Sequence, residues 1–189
     1  MSILRLVCFA TLVLFAIKSQ GQENNNYYLV EFEKFTPPVK EMIRGFENSP
    51  ATPFMASDIY GNEKFLGDYK GKKVLIWFWS SNDGISISQI KELNDIQATY
   101  RDELQIVSFA MEEKVVLIPF RKANPIDFPI IPKSKIFGEL AYAADLGLGR
   151  LFLVDGQGIV QKVFPRMNFE NDAVKTFSFV RDMIKSISR

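Results

Sequence analysis

Continuous apolar runs alternate with helical periodicities along this chain, and their order predicts its architecture. The clearest run is Val74-Leu75-Ile76-Trp77-Phe78-Trp79, bounded by Lys72-Lys73 and Ser80-Ser81, as expected for a central strand covered on both faces. Ser81-Asn82-Asp83-Gly84 then opens a helix in which Ile87, Ile90, Leu93, Asn94 and residues 96–98 outline one apolar side as far as Tyr100. Residues 104–110 make the next strand, giving a strand-helix-strand unit of parallel type. Downstream, residues 115–120 fit a short helix or strand, residues 124–129 are extended and punctuated by proline, and helical signal returns over residues 137–144. Residues 151–154 and 159–164 flank Asp155-Gly156-Gln157-Gly158 and predict an antiparallel hairpin. Phe169, Ala173, Phe177, Val180, Met183, Ile184 and Ile187 recur at helical spacing, so an amphipathic helix is expected at the end of the sequence.

Before the central strand the pattern is weaker. Residues 54–59 and 64–66 surround a turn at Tyr60-Gly61-Asn62 and read as a hairpin, followed by a tight connection at Gly67-Asp68-Tyr69-Lys70-Gly71. Val39, Met42, Ile43 and Phe46 sit on one helical face after Pro37-Pro38, which predicts a short helix to about Asn48, broken by Ser49-Pro50-Ala51-Thr52-Pro53. Residues 22–26 are polar, and residues 27–35, with Leu29, Val30 and several aromatics, fit an extra strand. Residues 27–50 are too short to hold a core of their own. Residues 22–50 therefore read as an N-terminal extension packed on a single main domain, residues 51–189.

The first residues carry Arg5 and no acid, then an apolar run over residues 6–17, then Lys18-Ser19-Gln20-Gly21-Gln22 with small residues before a cut. This is the layout of a secretory signal peptide over residues 1–21, too short in its apolar part to cross a bilayer as a stable anchor. A periplasmic or secreted location follows as the expectation. The single cysteine, Cys8, lies inside that apolar run, and the chain has no histidine. After cleavage no thiol would remain, which removes cysteine nucleophiles, Cys/His zinc sites and imidazole acid-base catalysis from the available chemistry. Lys and Arg number 23 against 22 Asp and Glu, and the leader holds two of the bases and no acid, so the remainder is close to neutral. Nothing in that balance attracts nucleic acid or an anionic membrane.

Local motifs are more specific than the order of elements. Pro53-Phe54-Met55, Asp58-Ile59-Tyr60-Gly61, Leu66-Gly67-Asp68-Tyr69-Lys70-Gly71-Lys72, Phe78-Trp79 and Asp155-Gly156-Gln157-Gly158 occur in this sequence order. Over residues 53–185 the chain thereby resembles the redoxin group: exported thioredoxin-like thiol-disulfide oxidoreductases and their alkyl hydroperoxide reductase relatives. The resemblance implies an α/β thioredoxin-like fold, a central mixed β-sheet flanked by helices. In that family Trp-Cys-x-x-Cys follows Phe-Trp at the strand-to-helix turn. The matching positions here are Asn82-Asp83-Gly84-Ile85-Ser86, with Asp83 in place of the nucleophile and Ser86 in place of the resolving thiol. The single cysteine of peroxidatic relatives is also missing, and the family's cis-proline aligns with Gly149.

These departures leave no catalytic residue to name. A thiolate at a helix N-terminus is stabilised by the helix dipole, and an aspartate there is stabilised the same way but cannot exchange a disulfide. Asp83 reads as a helix N-cap or as a retained anion that mimics a thiolate. Ser86-Ile87-Ser88-Gln89 has capping-box spacing. Carboxylate pairs such as Asp83 with Glu92, or Asp145 with Asp155, have only scattered spacing, and no oxygen-rich metal loop is present, so neither metal nor cofactor is expected. Tyr69, Trp77 and Trp79 read as core or rim aromatics. The degenerate active-site positions are thus Asp83, Gly84, Ile85, Ser86 and Gly149, and the candidate binding residues are Trp79, Asn82, Asp83 and Arg150. The expected function is a redox-inactive domain that holds a protein or peptide of the cell envelope along residues 81–86 and 147–150. The alternatives are family-type oxidoreductase or peroxidase activity by another route, and a structural part in an envelope assembly docked through residues 27–48.

Overall fold

The computed structural model describes residues 35–143, 150–164 and 173–187. Seven strands are present among them: β1 Met55–Ser57, β2 Glu63–Phe65, β3 Lys73–Trp79, β4 Leu104–Ala110, β5 Ile130–Ile131, β6 Arg150–Val154 and β7 Val160–Phe164. The helices are α1 Pro37–Phe46, α2 Gly84–Tyr100, α3 Lys114–Ala123, α4 Lys135–Tyr142 and α5 Ala173–Ser186, with a 3₁₀ turn at Leu66–Tyr69. β1 and β2 form a small antiparallel hairpin, and the main sheet runs β5-β4-β3-β6-β7. β3 pairs in parallel with β4 and antiparallel with β6, so the sheet is mixed as expected. The proposed strand over residues 27–35, apart from Phe35, lies outside the described residues, as does Phe169.

Every residue of β3 is buried, and its alternation assigns the two faces. Trp77 and Trp79 stack on one side, 4.9 Å apart, with Phe128 edge-on to Trp77 and Phe120 of α3 against Trp79. Phe78 points to the other side, where Phe109, Phe137, Tyr142 and Phe152 surround it. Lys73 belongs to the strand rather than to its polar boundary. Its side chain is only 2% exposed, and its ammonium donates to the Ile184 carbonyl of α5 at 2.5 Å and pairs with Glu103 at 3.3 Å.

The face of α2 that turns inward differs from the apolar side expected. It comprises Ser86, Gln89, Ile90, Leu93, Ile96, Gln97 and Tyr100, whereas Ala98 is exposed. The glutamines have backbone and side-chain partners: Trp77 Nε1 donates to Gln89 Oε1 at 2.8 Å, and Ile106 N donates to Gln97 Oε1 at 2.7 Å. β5 spans two residues and pairs with β4 only at Ser108 and Phe109, so the Ile106 amide on that edge needs a side-chain acceptor.

α1 confirms the predicted helix and ends at Phe46. Asn48 takes a left-handed conformation, φ 64, and its amide turns to the Val160 carbonyl at 2.8 Å. Val160 N in turn donates to Ser49 O, and Val163 N to Glu47 Oε1, so residues 47–49 lie along the outer edge of β7. Ile43 is 1% exposed, and Phe46 stacks on Tyr142 and meets Phe152 edge-on at 5.3 Å. Replacing Ile43→Ala should destabilise the whole domain by about 3 kcal/mol. Urea unfolding would check this, and a loss below about 1 kcal/mol would show the helix to be a detachable appendage.

Asp58 fixes the β1–β2 turn. Its Oδ1 accepts from Tyr60 N at 2.8 Å and Asn62 N at 3.0 Å, and its Oδ2 from Asn62 Nδ2 at 3.0 Å. Burial pushes the carboxyl up, but the hydrogen bonds from Asn62 and Tyr60, aided by Lys64, outweigh it and hold the pKa below its usual value. A depressed folded pKa contributes stability that is complete above the unfolded value of about 4 and is lost as pH falls through the folded value. Asp58→Ala should therefore cost about 2 kcal/mol at neutral pH and shrink the stability difference from the parent below about pH 4. Parallel pH-dependent unfolding curves for parent and variant would overturn this assignment.

Candidate functional site

The end of β3 delivers the chain into a tight turn before α2, and that turn is held from three directions. Asn82 N donates to Ser80 Oγ at 3.1 Å, and Asp83 N to Ser80 O at 3.2 Å. Glu112, two residues past the end of β4, accepts on one carboxylate oxygen from Ser80 Oγ and from Ser81 N, the latter at 3.0 Å. Because β3 and β4 are parallel, their carboxyl ends lie side by side, and a side chain following one reaches the turn following the other. Sequence reasoning missed Glu112. The available signal was an acid directly after a buried strand, in Met111-Glu112-Glu113.

Asp83 is the N-cap of α2. Its backbone is extended, and its Oδ2 accepts from Ser86 N at 3.0 Å and from the Ser86 hydroxyl at 2.6 Å. This corrects the capping-box expectation: the cap pair is Asp83 with Ser86, and Gln89 faces Trp77 instead. The carboxylate is turned toward the helix N-terminus, where the amides and the dipole stabilise it. The serine hydroxyl donates to a carboxylate, which resembles an activated nucleophile, but Ser86 is 0% exposed. Asn82 and Gly84 are exposed and Ile85 is half-buried. An added Cβ at Gly84 would meet nothing within 4 Å, so the rim is open there.

Two expected contact residues lie in the interior. Trp79 is 0% exposed, closed in by Trp77 and Phe120, and does not present a face to a partner. Arg150 is 1% exposed, and its Nη1 donates to the Ala143 carbonyl at 2.8 Å. Ala143 is the left-handed C-cap of α4, so the guanidinium caps the carbonyl end of that helix, where a cation is favoured. The expectation of a substrate-facing arginine is corrected accordingly. Gly149 and residues 147–148 lie outside the described residues. Among the described residues no three metal-ligating side chains stand together.

A family model described as the AhpC/TSA family matches residues 48–163. The chain belongs to that family. A curated relative, the thiol-disulfide oxidoreductase ResA of Geobacillus thermodenitrificans (strain NG80-2), is 29% identical over 120 residues, covering 61% of this chain and 67% of that protein. Among solved structures, the thioredoxin domain of a thiol-disulfide oxidoreductase from Bacteroides vulgatus superposes with a TM-score of 0.61 at 18% identity, covering 73% of this chain and 97% of that one. The pneumococcal exposed lipoprotein thioredoxin from Streptococcus pneumoniae gives 0.58 at 17% identity, covering 72% and 100%. The fold is therefore thioredoxin-like. This AhpC/TSA member has one cysteine, Cys8, which is outside the described residues.

Replacing Asp83→Ala should remove about 1 kcal/mol of stability, while Asp83→Asn, which keeps a capping oxygen, should stay within a few tenths of the parent. Equal losses for both variants in urea unfolding would show that the negative charge, not the cap, is the stabilising element.

Proposed function

We propose that this chain is an exported, redox-inactive AhpC/TSA protein that holds an extended polypeptide segment along the rim formed by residues 81–86. The observation that carries the reading is the Asp83–Ser86 pair. Where the family resemblance places two thiols, a cap carboxylate and a buried hydroxyl hydrogen-bond to each other, and the surrounding fold is kept intact. That pair can neither donate electrons nor form a mixed disulfide.

The rim suits a polypeptide better than a charged small molecule. Asn82 and Gly84 offer uncharged polar and backbone surface, and Ile85 an apolar contact. Val115 and Val116, in the first turn of α3 beyond the carboxyl end of β4, are 76% and 44% exposed and extend the apolar surface on the same end of the sheet. Edge-on recognition of an extended chain uses main-chain hydrogen bonds for affinity and small apolar contacts for register. Export is supported by the leader-like pattern of residues 1–21 and by the exposed lipoprotein among the structural relatives. Among the described residues no helix is long and apolar enough to cross a membrane.

Photo-crosslinking residues placed singly at Asn82, Gly84 and Ile85 in the native host should capture one recurrent polypeptide, and Ile85→Asp should abolish capture from Asn82. No capture from a folded, exported chain would sink the rim as a recognition surface. In parallel, the parent should show no reductant-dependent turnover of a disulfide substrate, whereas Asp83→Cys with Ser86→Cys should acquire it. Thiol-dependent turnover by the parent would restore the oxidoreductase reading.

A further inference from the structure

At the opposite end of β3 from Asp83, roughly 20 Å away along the strand, a cavity of about 420 Å³ opens between the 3₁₀ turn and the β6–β7 turn. Val74 and Val154, both almost wholly buried, form its floor, and Leu66 and Pro53 contribute apolar walls. Lys70 and Lys72 lie on the rim, and Tyr69 enters from the side. The volume falls in the range of small-molecule sites, and most of the lining is apolar with a few polar groups, as such sites require.

Apart from the Gln157 amide, the polar side chains that remain available are donors. The Tyr69 hydroxyl makes no hydrogen bond among the described residues, and burial, with Asp68 and Asp58 nearby, raises its pKa, so it stays a neutral donor. Lys70 has no carboxylate partner among the described residues, and the Lys72 ammonium reaches only the Arg101 carbonyl, at 3.4 Å. The one acid in the lining, Asp155, is occupied on both oxygens: Oδ1 accepts from Gln157 N and Ile159 N, and Oδ2 from Gln161 Nε2 at 2.7 Å. Asp68 accepts from Phe65 N and Asp58 from its own turn. The lining therefore carries the Lys70 ammonium and the Tyr69 phenol beside an apolar floor, while the Lys72 ammonium is turned to the Arg101 carbonyl outside the cavity.

We propose that this cavity is a binding site for a small organic acid, with an apolar body resting on Leu66, Val74 and Val154 and a carboxylate held by Tyr69 and Lys70. A carboxylate fits better than a phosphate, because no arginine fork lines the cavity and the apolar floor has no counterpart on a phosphate. The site is independent of the rim at residues 81–86.

Amide-resolved NMR titration of the purified chain with 4-phenylbutyrate and with its neutral amide tests the proposal. The acid should give saturable shifts at Tyr69, Lys70 and Gly156 in the millimolar range, and the amide should bind about tenfold or more weakly. Gly67 lines the cavity, and a Cβ there meets nothing within 4 Å without a left-handed backbone, so Gly67→Trp should fill the space and abolish binding. Lys70→Glu, an exposed change that leaves the core untouched, should weaken the acid by about tenfold or more. Lys114→Glu on α3, with the same charge change, should leave it unaltered. Absence of saturable shifts, equal binding of acid and amide, or a Lys70→Glu variant that binds like the parent would each overturn the assignment.

Discussion

β3 is the element on which the rest of the structure depends. With both faces covered, it has no water to satisfy its backbone, so its amides and carbonyls must be met by β4 on one side and β6 on the other. Its side chains divide the helices: the tryptophans meet α2 and α3 on one face, and Phe78 meets α4 on the other, where α1 packs on Phe152. The turn that follows is consequently fixed in space before any of its own residues is chosen. What a family member does at that turn is then decided by a handful of side chains on a constant support.

That separation lets the side chains of the turn vary on a fixed support. A helix N-terminus stabilises whichever anion stands there, and the Asp83 carboxylate meets this demand by bonding inward to Ser86. The Glu112 bonds to Ser80 and Ser81 hold the approach from the neighbouring strand. Geometry is thus retained by interactions that need no sulfur.

Elements written in continuous local patterns were legible in the sequence: β3 and β4 as apolar runs, the two hairpins from their turns, and α1 from Val39, Met42, Ile43 and Phe46. Misreadings came from residues whose role depends on distant partners. Gln89 and Gln97 are polar letters on a buried face because an indole and an edge amide need acceptors there. Arg150 looks like a surface charge until α4 is seen to end beside it, and Glu112 has meaning only once β3 and β4 lie in register. Asp83 as a cap was legible because capping is local; the capping-box spacing of Ser86 and Gln89 misled because Gln89 is taken by a distant indole and Ser86 by Asp83.

The segment joining α1 to β1 has a consequence for the protein's behaviour among other chains. β7 is the last strand of the sheet, and an uncovered final strand is a template on which a neighbouring molecule can add its own backbone. Here the Val160 amide and carbonyl are already taken by Ser49 and Asn48, Glu47 occupies the Val163 amide, and Lys162 pairs with Glu47 at 2.9 Å. The extension therefore protects colloidal behaviour as well as packing: it closes the sheet to strand addition along this margin.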